Sequence, residues 1–285
     1  MRKPLTVPAV RSRKRSMGHE PLVMVTAYDA PTGRIADGAG VDLILVGDSV
    51  ANVVLGYEDT LQVTVADMAH HVGAVSRARP QALIVGDMPW LSYHRGAADA
   101  VANAAILVRA GAQAVKLEGG RKRAEVIEAI VDAEIPVMGH IGLTPQSVHA
   151  MGGYRVQGRD AAAAEELVAD AMALVEAGVF AVVLEGVPDV VAARVTEALP
   201  VPTIGIGAGP ACDGQVLVMH DLLGLEDRVT PKFVRRYADL KAEAVAAVSA
   251  YAADVRSGSF PSEAESYHVP GETLDPYGSG RVASA

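Results

Sequence analysis

Short apolar segments alternate with segments of helical spacing along most of the chain. Eight of the apolar segments are rich in β-branched residues, and a helix-like stretch separates each from the next. They lie at residues 22–26, 43–46, 82–85, 114–117, 137–139, 181–184, 203–206 and 216–219. These runs are nearly continuous rather than alternating, which is typical of parallel strands covered by helices on both faces. The pattern therefore predicts repeated βαβ units.

The intervening segments carry apolar residues at helical spacing. The clearest begins behind an Asp160 cap, repeats apolar residues at i,i+4 and stops at Gly178. Two more helices are expected behind Thr64 and behind Gly120. Eight strands alternating with helices predict an α/β protein built as a single (β/α)8 TIM barrel, a fold of about 250 residues. An open doubly wound sheet is the alternative, because sequence alone does not show closure.

The segments outside the predicted strands give the domain organisation. We expect an N-terminal arm at residues 1–21, the barrel with an added long C-terminal helix at 22–258, and a flexible tail at 259–285 rich in Gly, Ser, Pro and Glu. The helix is predicted to start at a Thr230-Pro231 cap. Apolar residues then continue at helical spacing: Phe233, Val234, Tyr237, Leu240, Val245, Val248, Tyr251 and Val255. The helix is longer than a barrel needs, so it either covers the barrel or makes a subunit contact.

Charge and cysteine content narrow the function classes. Lys and Arg number 25 against 34 Asp and Glu, a net charge of −9, so the chain has no general attraction to phosphate backbones or anionic membranes. The basic run Arg11, Arg13, Lys14 and Arg15 lacks interleaved aromatic residues and is interpreted as a solvated arm. Cys212 is the single cysteine, which excludes an intrachain disulfide. We expect a cytoplasmic protein without a nucleic-acid or membrane partner.

Carboxylates follow three successive predicted strands. In a (β/α)8 barrel the reacting groups stand at the carboxyl ends of the strands. Asp48, Asp87 and Glu118 would project from one arc of the barrel mouth, because adjacent strands lie about 4.8 Å apart. Carboxylates that close raise one another's pKa unless a cation neutralises them, and hard oxygen ligands select Mg²⁺. The arc predicts a Mg²⁺ site, and the alternative for each carboxylate is a helix cap or an ion pair with Arg.

Other polar residues at the strand ends are candidates for binding an anionic substrate and for transferring its proton. Lys116 precedes Glu118 by two and shares its face of the strand, so it either holds a substrate carboxylate or pairs with Glu118. Ser49 either donates a hydrogen bond to the same anion or caps a helix. Glu185 stands two strands beyond the carboxylate arc and is placed as a general base across the pocket. His140 is a candidate polar pocket residue.

Segments spread over the chain resemble those of the ketopantoate hydroxymethyltransferase family. The shared segments are TAYD from Thr26, LVGDSVANVVLGYEDT from Leu45, GDMPW from Gly86, VKLEGG from Val115, GHIGLTPQSV from Gly139, GGYRVQGR from Gly152, LEGVP from Leu184, IGIGAGPACDGQVLV from Ile204 and PKFVRRYADL from Pro231. They occur in order and cover most of residues 22–260. Trp90 stands where Phe is usual, a departure that concerns pocket shape rather than the reaction.

The resemblance implies a (β/α)8 barrel, Mg²⁺ dependence and transfer of a hydroxymethyl group from 5,10-methylenetetrahydrofolate to 3-methyl-2-oxobutanoate, the first committed step of pantothenate synthesis. Its partners would be a small 2-oxo acid, a folate and further copies of the chain, since family members often form decamers. The site residues that it implies are the metal ligands Asp48, Asp87 and Glu118, the substrate contacts Asp48, Ser49, Asp87 and Lys116, and the proton acceptor Glu185.

Three other functions compete with this interpretation. Barrels of the phosphoenolpyruvate mutase or isocitrate lyase type also use Mg²⁺ to act on the enolate of a 2-oxo acid. They need no folate, and they often use a cysteine in a mobile loop, whereas Cys212 follows the seventh predicted strand. A 2-oxo acid sensor without turnover would not need the full set of charged strand-end residues. A nucleotide-binding oxidoreductase is the weakest, because the glycines at 205–209 come late in the chain and lack the full fingerprint spacing.

Overall fold

A computed structural model of the 285-residue chain describes residues 3–226 and 231–268. The chain divides into two compact units, Met1–Ala238 and Asp239–Ala285. The first unit contains all eight strands of the described chain, and the second is dominated by one long helix. In the described residues, no helix combines the length and the apolar character that a membrane span requires.

The strands of the first unit form a closed parallel barrel in chain order, which confirms the (β/α)8 prediction over the open sheet. They are β1 (Leu22–Thr26), β2 (Leu43–Val46), β3 (Leu83–Asp87), β4 (Ala114–Glu118), β5 (Val137–Gly142), β6 (Ala181–Glu185), β7 (Thr203–Ile206) and β8 (Gly214–Leu217). The bounds of β1, β2 and β7 match the predicted runs. β3 to β6 extend past theirs, because their last residues are the polar and glycine positions that an apolar pattern leaves out.

Helices connect the strands and cover the barrel. They are α1 (Val7–Arg11), α2 (Ala30–Gly38), α3 (Val50–Val53), α4 (Val65–Ser76), α5 (Ala97–Ala110), α6 (Ala124–Asp132), α7 (Val148–Met151), α8 (Ala161–Glu176), α9 (Asp189–Ala198) and α10 (Met219–Leu223), with α11 (Leu240–Ser257) in the second unit. The Thr64 and Asp160 caps are confirmed, since each side chain accepts a hydrogen bond from a backbone N–H of the first turn. The helix expected behind Gly120 is α6, and a 3-10 helix, Arg121–Arg123, whose N-cap is Gly120, precedes it.

Two layers of buried apolar side chains hold the barrel. An inner cluster fills the barrel with residues such as Leu22, Leu43 and Ile204. A larger outer cluster lies between the strands and the helices. Small residues allow the close approach of these layers: a Cβ on Gly139 of β5 would lie 2.7 Å from the Leu174 side chain of α8.

The N-terminal arm is packed on the barrel, so the prediction of a solvated basic arm is wrong for Lys14. Val10 of α1 is fully buried with the inner cluster. Lys14 is 4% exposed, and its Nζ donates to Asp213 Oδ2 (2.8 Å) and to the Thr196 carbonyl (2.6 Å). A lysine is buried only when its charge finds such partners. Because Asp213 immediately precedes β8, the arm closes the amino-terminal end of the barrel, opposite the strand ends predicted to carry chemistry.

The C-terminal helix starts later than predicted. α11 begins at Leu240, where the Asp239 side chain accepts from the Ala242 N–H, and the predicted start at Pro231 is wrong. Thr230 lies outside the described residues. Phe233 and Tyr237 belong to an irregular segment of the first unit, in which the Tyr237 N–H donates to the Leu222 carbonyl at 2.9 Å. Phe233 and Tyr237 therefore have helical spacing in the sequence without lying in a helix, and tertiary contacts hold their segment in place.

The second unit carries apolar side chains on its surface. No residue of α11 is buried, and its exposed apolar residues include Val245, Val248 and Tyr251. The ring of Tyr251 contacts that of Phe260, with centroids 5.3 Å apart. A short 3-10 turn follows at Glu263–Glu265. The predicted tail continues beyond the described residues, which end at 268.

Candidate active site

The predicted site residues meet at the carboxyl-terminal mouth of the barrel. Asp87, Glu118 and Glu185 are the last residues of β3, β4 and β6, and Asp48 lies two residues beyond β2. Adjacent strands bring Asp87 opposite Lys116, in parallel register. Tertiary structure thus brings to one end of the barrel groups that are up to 137 residues apart in the chain.

Lys116 and Asp87 form a buried ion pair at the centre of the arc. The Lys116 Nζ lies 2.7 and 2.9 Å from the two carboxylate oxygens of Asp87. The backbone N–H of Asp48 donates to Asp87 Oδ2 at 3.3 Å. Lys116 therefore pairs with Asp87, not with Glu118 as the alternative interpretation had it. Burial alone would lower the pKa of Lys116, but Asp87, Glu118 and Asp48 raise it above its ordinary value, so the ammonium stays charged.

Gln146 joins the separate parts of the arc. Its side-chain N–H₂ donates to Asp48 Oδ2 (2.8 Å) and to the Met88 carbonyl (3.0 Å). Its backbone N–H donates to Glu118 Oε2 at 3.0 Å, and its side-chain oxygen accepts from the Tyr93 hydroxyl at 2.5 Å. One buried glutamine thus fixes two of the three predicted carboxylates.

His140 separates two glutamates. It lies within β5 rather than after it, and its Nδ1 is 3.5 Å from Glu118 Oε1 while its Nε2 is 3.4 Å from Glu185 Oε2. The residue is 2% exposed, and neither ring nitrogen has a hydrogen-bond partner in the described chain. Burial, together with the charge of Lys116, holds its pKa well below its ordinary value, so the imidazole is neutral.

Three carboxyl groups of the site, those of Asp48, Glu118 and Glu185, are harder to ionise than in water. Burial, followed by the repulsion from Asp87, raises the pKa of Asp48 to about 7. Burial, followed by Asp48, raises the pKa of Glu118 above its ordinary value. Burial raises the pKa of Glu185 to about 8, although Lys116 opposes the shift. A buried carboxyl with a pKa near neutrality is suited to proton transfer.

Ser49 stands at the edge of the same site, at the start of α3. Its hydroxyl is 2.8 Å from the hydroxyl of Tyr28, which follows β1 and is 1% exposed. Burial raises the pKa of Tyr28 above its ordinary value, so the phenol remains protonated. Ser49 makes no side-chain cap hydrogen bond to α3, so the helix-cap alternative is not what the structure shows.

Sequence reasoning missed Gln146, Tyr93 and Tyr28 as parts of the site. Gln146 lies in a 3-10 turn just after β5, and Tyr28 two residues beyond β1. Both belong to segments shared with the family that the resemblance names, and this is the signal that points to them. Their side chains are uncharged, and a pattern of charged residues at strand ends does not indicate them.

The three carboxylates do not form a three-ligand metal cluster. Among residues 3–226 and 231–268, no group of three His, Cys, Asp or Glu side chains could hold a metal ion. The carboxylate of Glu118 faces His140 and the Gln146 N–H instead. The donor set of Asp48 and Asp87 still fits a hard divalent cation, because Mg²⁺ in proteins is commonly held by one or two carboxylates together with waters and substrate oxygens.

Comparison with known proteins identifies similar sequences over nearly the whole chain. The sequence model of a family described as ketopantoate hydroxymethyltransferase matches residues 4–263. A 3-methyl-2-oxobutanoate hydroxymethyltransferase of Moorella thermoacetica is 57% identical over 264 residues, which covers 92% of this chain and 97% of that protein. The protein of the same name from a Methylobacterium species is 59% identical over 249 residues, 87% of this chain and 86% of its own.

Two solved structures with the same fold are less similar in sequence than these relatives. A 2,3-dimethylmalate lyase, described as a member of the PEP mutase/isocitrate lyase superfamily, matches with a TM-score of 0.58 at 18% identity, over 96% of this chain and 93% of that one. A phosphonopyruvate hydrolase in complex with oxalate and Mg²⁺ gives 0.59 at 15%, over 93% and 92%. These likenesses support the barrel fold alone.

Proposed function

The chain belongs to the ketopantoate hydroxymethyltransferase family, and on this premise we propose that it uses Mg²⁺ and 5,10-methylenetetrahydrofolate to convert 3-methyl-2-oxobutanoate into ketopantoate. Family membership makes it a hydroxymethyltransferase of pantothenate biosynthesis. The metal, the one-carbon donor and the residue roles belong to the proposal. The observation that carries these roles is the arc of Asp48, Asp87 and Lys116 with the carboxyl group of Glu185 beyond it, on the far side of His140.

Asp48 and Asp87 would hold the Mg²⁺. Glu118, whose carboxylate is anchored on the Gln146 N–H, would accept hydrogen bonds from the waters that Mg²⁺ retains in proteins. When bound, the cation supplies a Lewis acid at the ketone and carboxylate oxygens of the substrate, which favours the enolate.

Lys116 and Ser49 would anchor the keto acid. The Lys116 ammonium is kept charged by its carboxylate neighbours and is held in place by Asp87, so it presents a fixed positive charge to an anionic substrate. The Ser49 hydroxyl can donate to a substrate oxygen while it accepts from the Tyr28 hydroxyl. Both groups are oriented before the substrate arrives, and such preorganisation favours the productive geometry.

Glu185 would remove the proton from C3 of the keto acid. Its carboxyl is 17% exposed, the most open of the charged strand-end groups, and its raised pKa makes its ionised form a stronger base than an ordinary glutamate. The electron pair of the C3–H bond then passes into the enolate. The enolate carbon attacks the methylene carbon of the donor as the bond from that carbon to one folate nitrogen breaks. Water then displaces the second folate nitrogen from the same carbon and supplies the hydroxyl of the new primary alcohol. The two nitrogens take up one proton each, one that Glu185 removed from C3 and one from the water. Tetrahydrofolate leaves.

Proton NMR in D₂O tests the proposal step by step. The keto acid is incubated with the enzyme and Mg²⁺, first without and then with 5,10-methylenetetrahydrofolate. We expect the C3 proton signal to disappear without the donor, and ketopantoate to form only after the donor is added. Exchange without any product would point to an enolase-type barrel instead. Absence of both, with Mg²⁺ binding shown calorimetrically, would refute the proposed metal-assisted enolisation.

A further inference from the structure

A strained turn displays two large apolar side chains beside the active site. Pro89, Trp90, Leu91 and Ser92 form a turn closed by a hydrogen bond from the Ser92 N–H to the Pro89 carbonyl, at 3.1 Å. Leu91 has a φ of 64°, which is uncommon for a bulky residue. Even so, Trp90 is 40% exposed and Leu91 45% exposed. We call these four residues the Trp90 turn.

The Trp90 turn is held close to the active site by the backbone that precedes it. It begins two residues after Asp87, the end of β3. Met88, which joins them, donates its backbone N–H to the Lys116 carbonyl at 2.8 Å, and its own carbonyl accepts from the Gln146 side chain at 3.0 Å. The turn is held further by the Asn103 side chain, which donates to the Ser92 carbonyl at 2.6 Å. A turn fixed at both ends keeps the Trp90 side chain at the barrel mouth.

A cation lies next to the same loop. The Arg123 guanidinium carbon is 5.8 Å from the centre of the Tyr93 ring, the residue directly after the Trp90 turn. The Tyr93 hydroxyl reaches Gln146 inside the site. Among the described residues Arg123 is in no ion pair, unlike its neighbour Arg121, which pairs with Glu166 and Asp170. Arg123 thus leaves a positive charge available at the rim.

We propose that the Trp90 turn is the stacking platform for the flat, aromatic ring system of the one-carbon donor, and that Arg123 binds the carboxylate of its tail. The inference rests on the proposed function, because that function requires such a donor. An aromatic side chain offers a face to a planar heterocycle, and a guanidinium matches a carboxylate.

Geometry favours the donor over other occupants of this surface. Its methylene carbon must come within about 3.5 Å of the substrate enolate. The amino-terminal end of the barrel is closed by the arm and the inner apolar cluster, so a large co-substrate enters from the mouth. The loop after β3 contributes the exposed ring of Trp90 to the mouth, and Arg123 lies against Tyr93 of the same loop. Together they are complementary to an aromatic molecule with an anionic tail.

Steady-state kinetics of Trp90→Ala and Trp90→Phe test the platform. We expect Trp90→Ala to raise the KM for 5,10-methylenetetrahydrofolate about tenfold, in line with the loss of one stacking partner. Trp90→Phe, which keeps an aromatic face, should stay within about threefold of the parent. The KM for the keto acid should change little in either variant. Ile106→Ala is the matched control, because Ile106 is equally exposed (41%) on α5.

A second measurement isolates the role of Arg123. The donor is compared with its analogue 5,10-methylenetetrahydropteroate, which lacks the glutamate tail. Arg123→Gln should raise the KM for the folate about tenfold and leave the KM for the pteroate unchanged, whereas a structural role for Arg123 would weaken both equally. Equal effects on the two donors would overturn the assignment of Arg123.

The half-reactions separate the failure of the platform from the failure of the proposed function. Donor-independent exchange of the C3 proton in D₂O reports the proposed enolisation, and its absence in the parent enzyme would overturn both proposals. Exchange with an unchanged donor KM in Trp90→Ala would overturn the platform alone. A change of oligomeric state in Trp90→Ala, seen by sedimentation without a change in donor KM, would assign the turn to contacts between copies of the chain.

Discussion

His140 lies between two acids in this site, Glu118 and Glu185. A neutral imidazole has one N–H and one acceptor nitrogen, yet His140 faces a carboxyl group on each side, Glu118 and Glu185. The raised pKa values of both glutamates follow from the same burial. The side-chain chemistry of the proposed base is thus set by its surroundings rather than by its type.

Glu185→Gln is the sharpest test at the residue scale. The amide keeps the size and polarity of the side chain but cannot take a proton, so we expect kcat to fall by about 10²- to 10⁴-fold. Binding of the keto acid and of Mg²⁺, measured by calorimetry, should be retained. Glu176→Gln, a change at an exposed glutamate at the end of α8, is the control and should leave kcat unchanged. An unaltered kcat in Glu185→Gln would remove Glu185 from its proposed role.

At the scale of elements, the end of β5 sets the position of the proposed base. Gly142 is opposite Glu185 in the register, and the next N–H, that of Leu143, donates to the Glu185 carbonyl at 2.7 Å. Gly142 has a φ of 94°. A Cβ at this position would collide with the Glu185 carbonyl oxygen and come within 2.6 Å of the Val187 side chain. Only glycine lets β5 and β6 meet at this point.

Gly142→Ala should therefore lower the free energy of unfolding by more than the cost of placing an alanine at a positive φ. An alanine at positive φ costs about 1–2 kcal/mol, and the collision with backbone should add at least a further 2 kcal/mol. Gly56→Ala is the matched control, since Gly56 has a φ of 77° with open space around it. The free energies of unfolding of both variants, from urea denaturation, give the comparison. Equal losses would contradict the argued close approach of β5 and β6.

For the whole molecule, we expect the buried acids to make stability depend on pH and, through the proposed Mg²⁺ site, on divalent cations. The pKa of Asp48 is raised to about 7 and that of Glu185 to about 8, whereas both groups ionise near pH 4 in the unfolded chain. Between these values the native state binds more protons than the unfolded state, so its stability falls as pH rises through the window. A divalent cation held by Asp48 favours the ionised form and opposes the loss.

Thermal unfolding with and without Mg²⁺ tests this linkage. With a chelator present, the raised pKa of Asp48 should cost on the order of 3–4 kcal/mol between pH 4 and pH 8, seen as a progressively lower Tm relative to Asp48→Asn. Addition of Mg²⁺ at pH 8 should raise the Tm of the parent and not that of Asp48→Asn. The same dependence of Tm on pH in the parent and in Asp48→Asn would contradict the raised pKa of Asp48.

The predictions from sequence succeeded and failed for different reasons. Strand order and the acidic residues at the ends of β3, β4 and β6 were predictable, because burial on both faces leaves a nearly continuous apolar signal that stops at the polar residue. The partner of Lys116 was not, since the choice between Asp87 and Glu118 depends on the register of β3 against β4. The burial of the Lys14 side chain was not predictable either, because its partner Asp213 is 199 residues away in the chain.

The sequence by itself determined the fold class, the family and the chemical groups at the strand ends, because local patterns and shared segments carry that information. Tertiary structure alone decided which groups touch. It placed Gln146 against both Asp48 and Glu118, and it started α11 at Leu240 instead of Pro231. These outcomes depend on distance and burial between residues far apart in the chain, and no local pattern of residues encodes them.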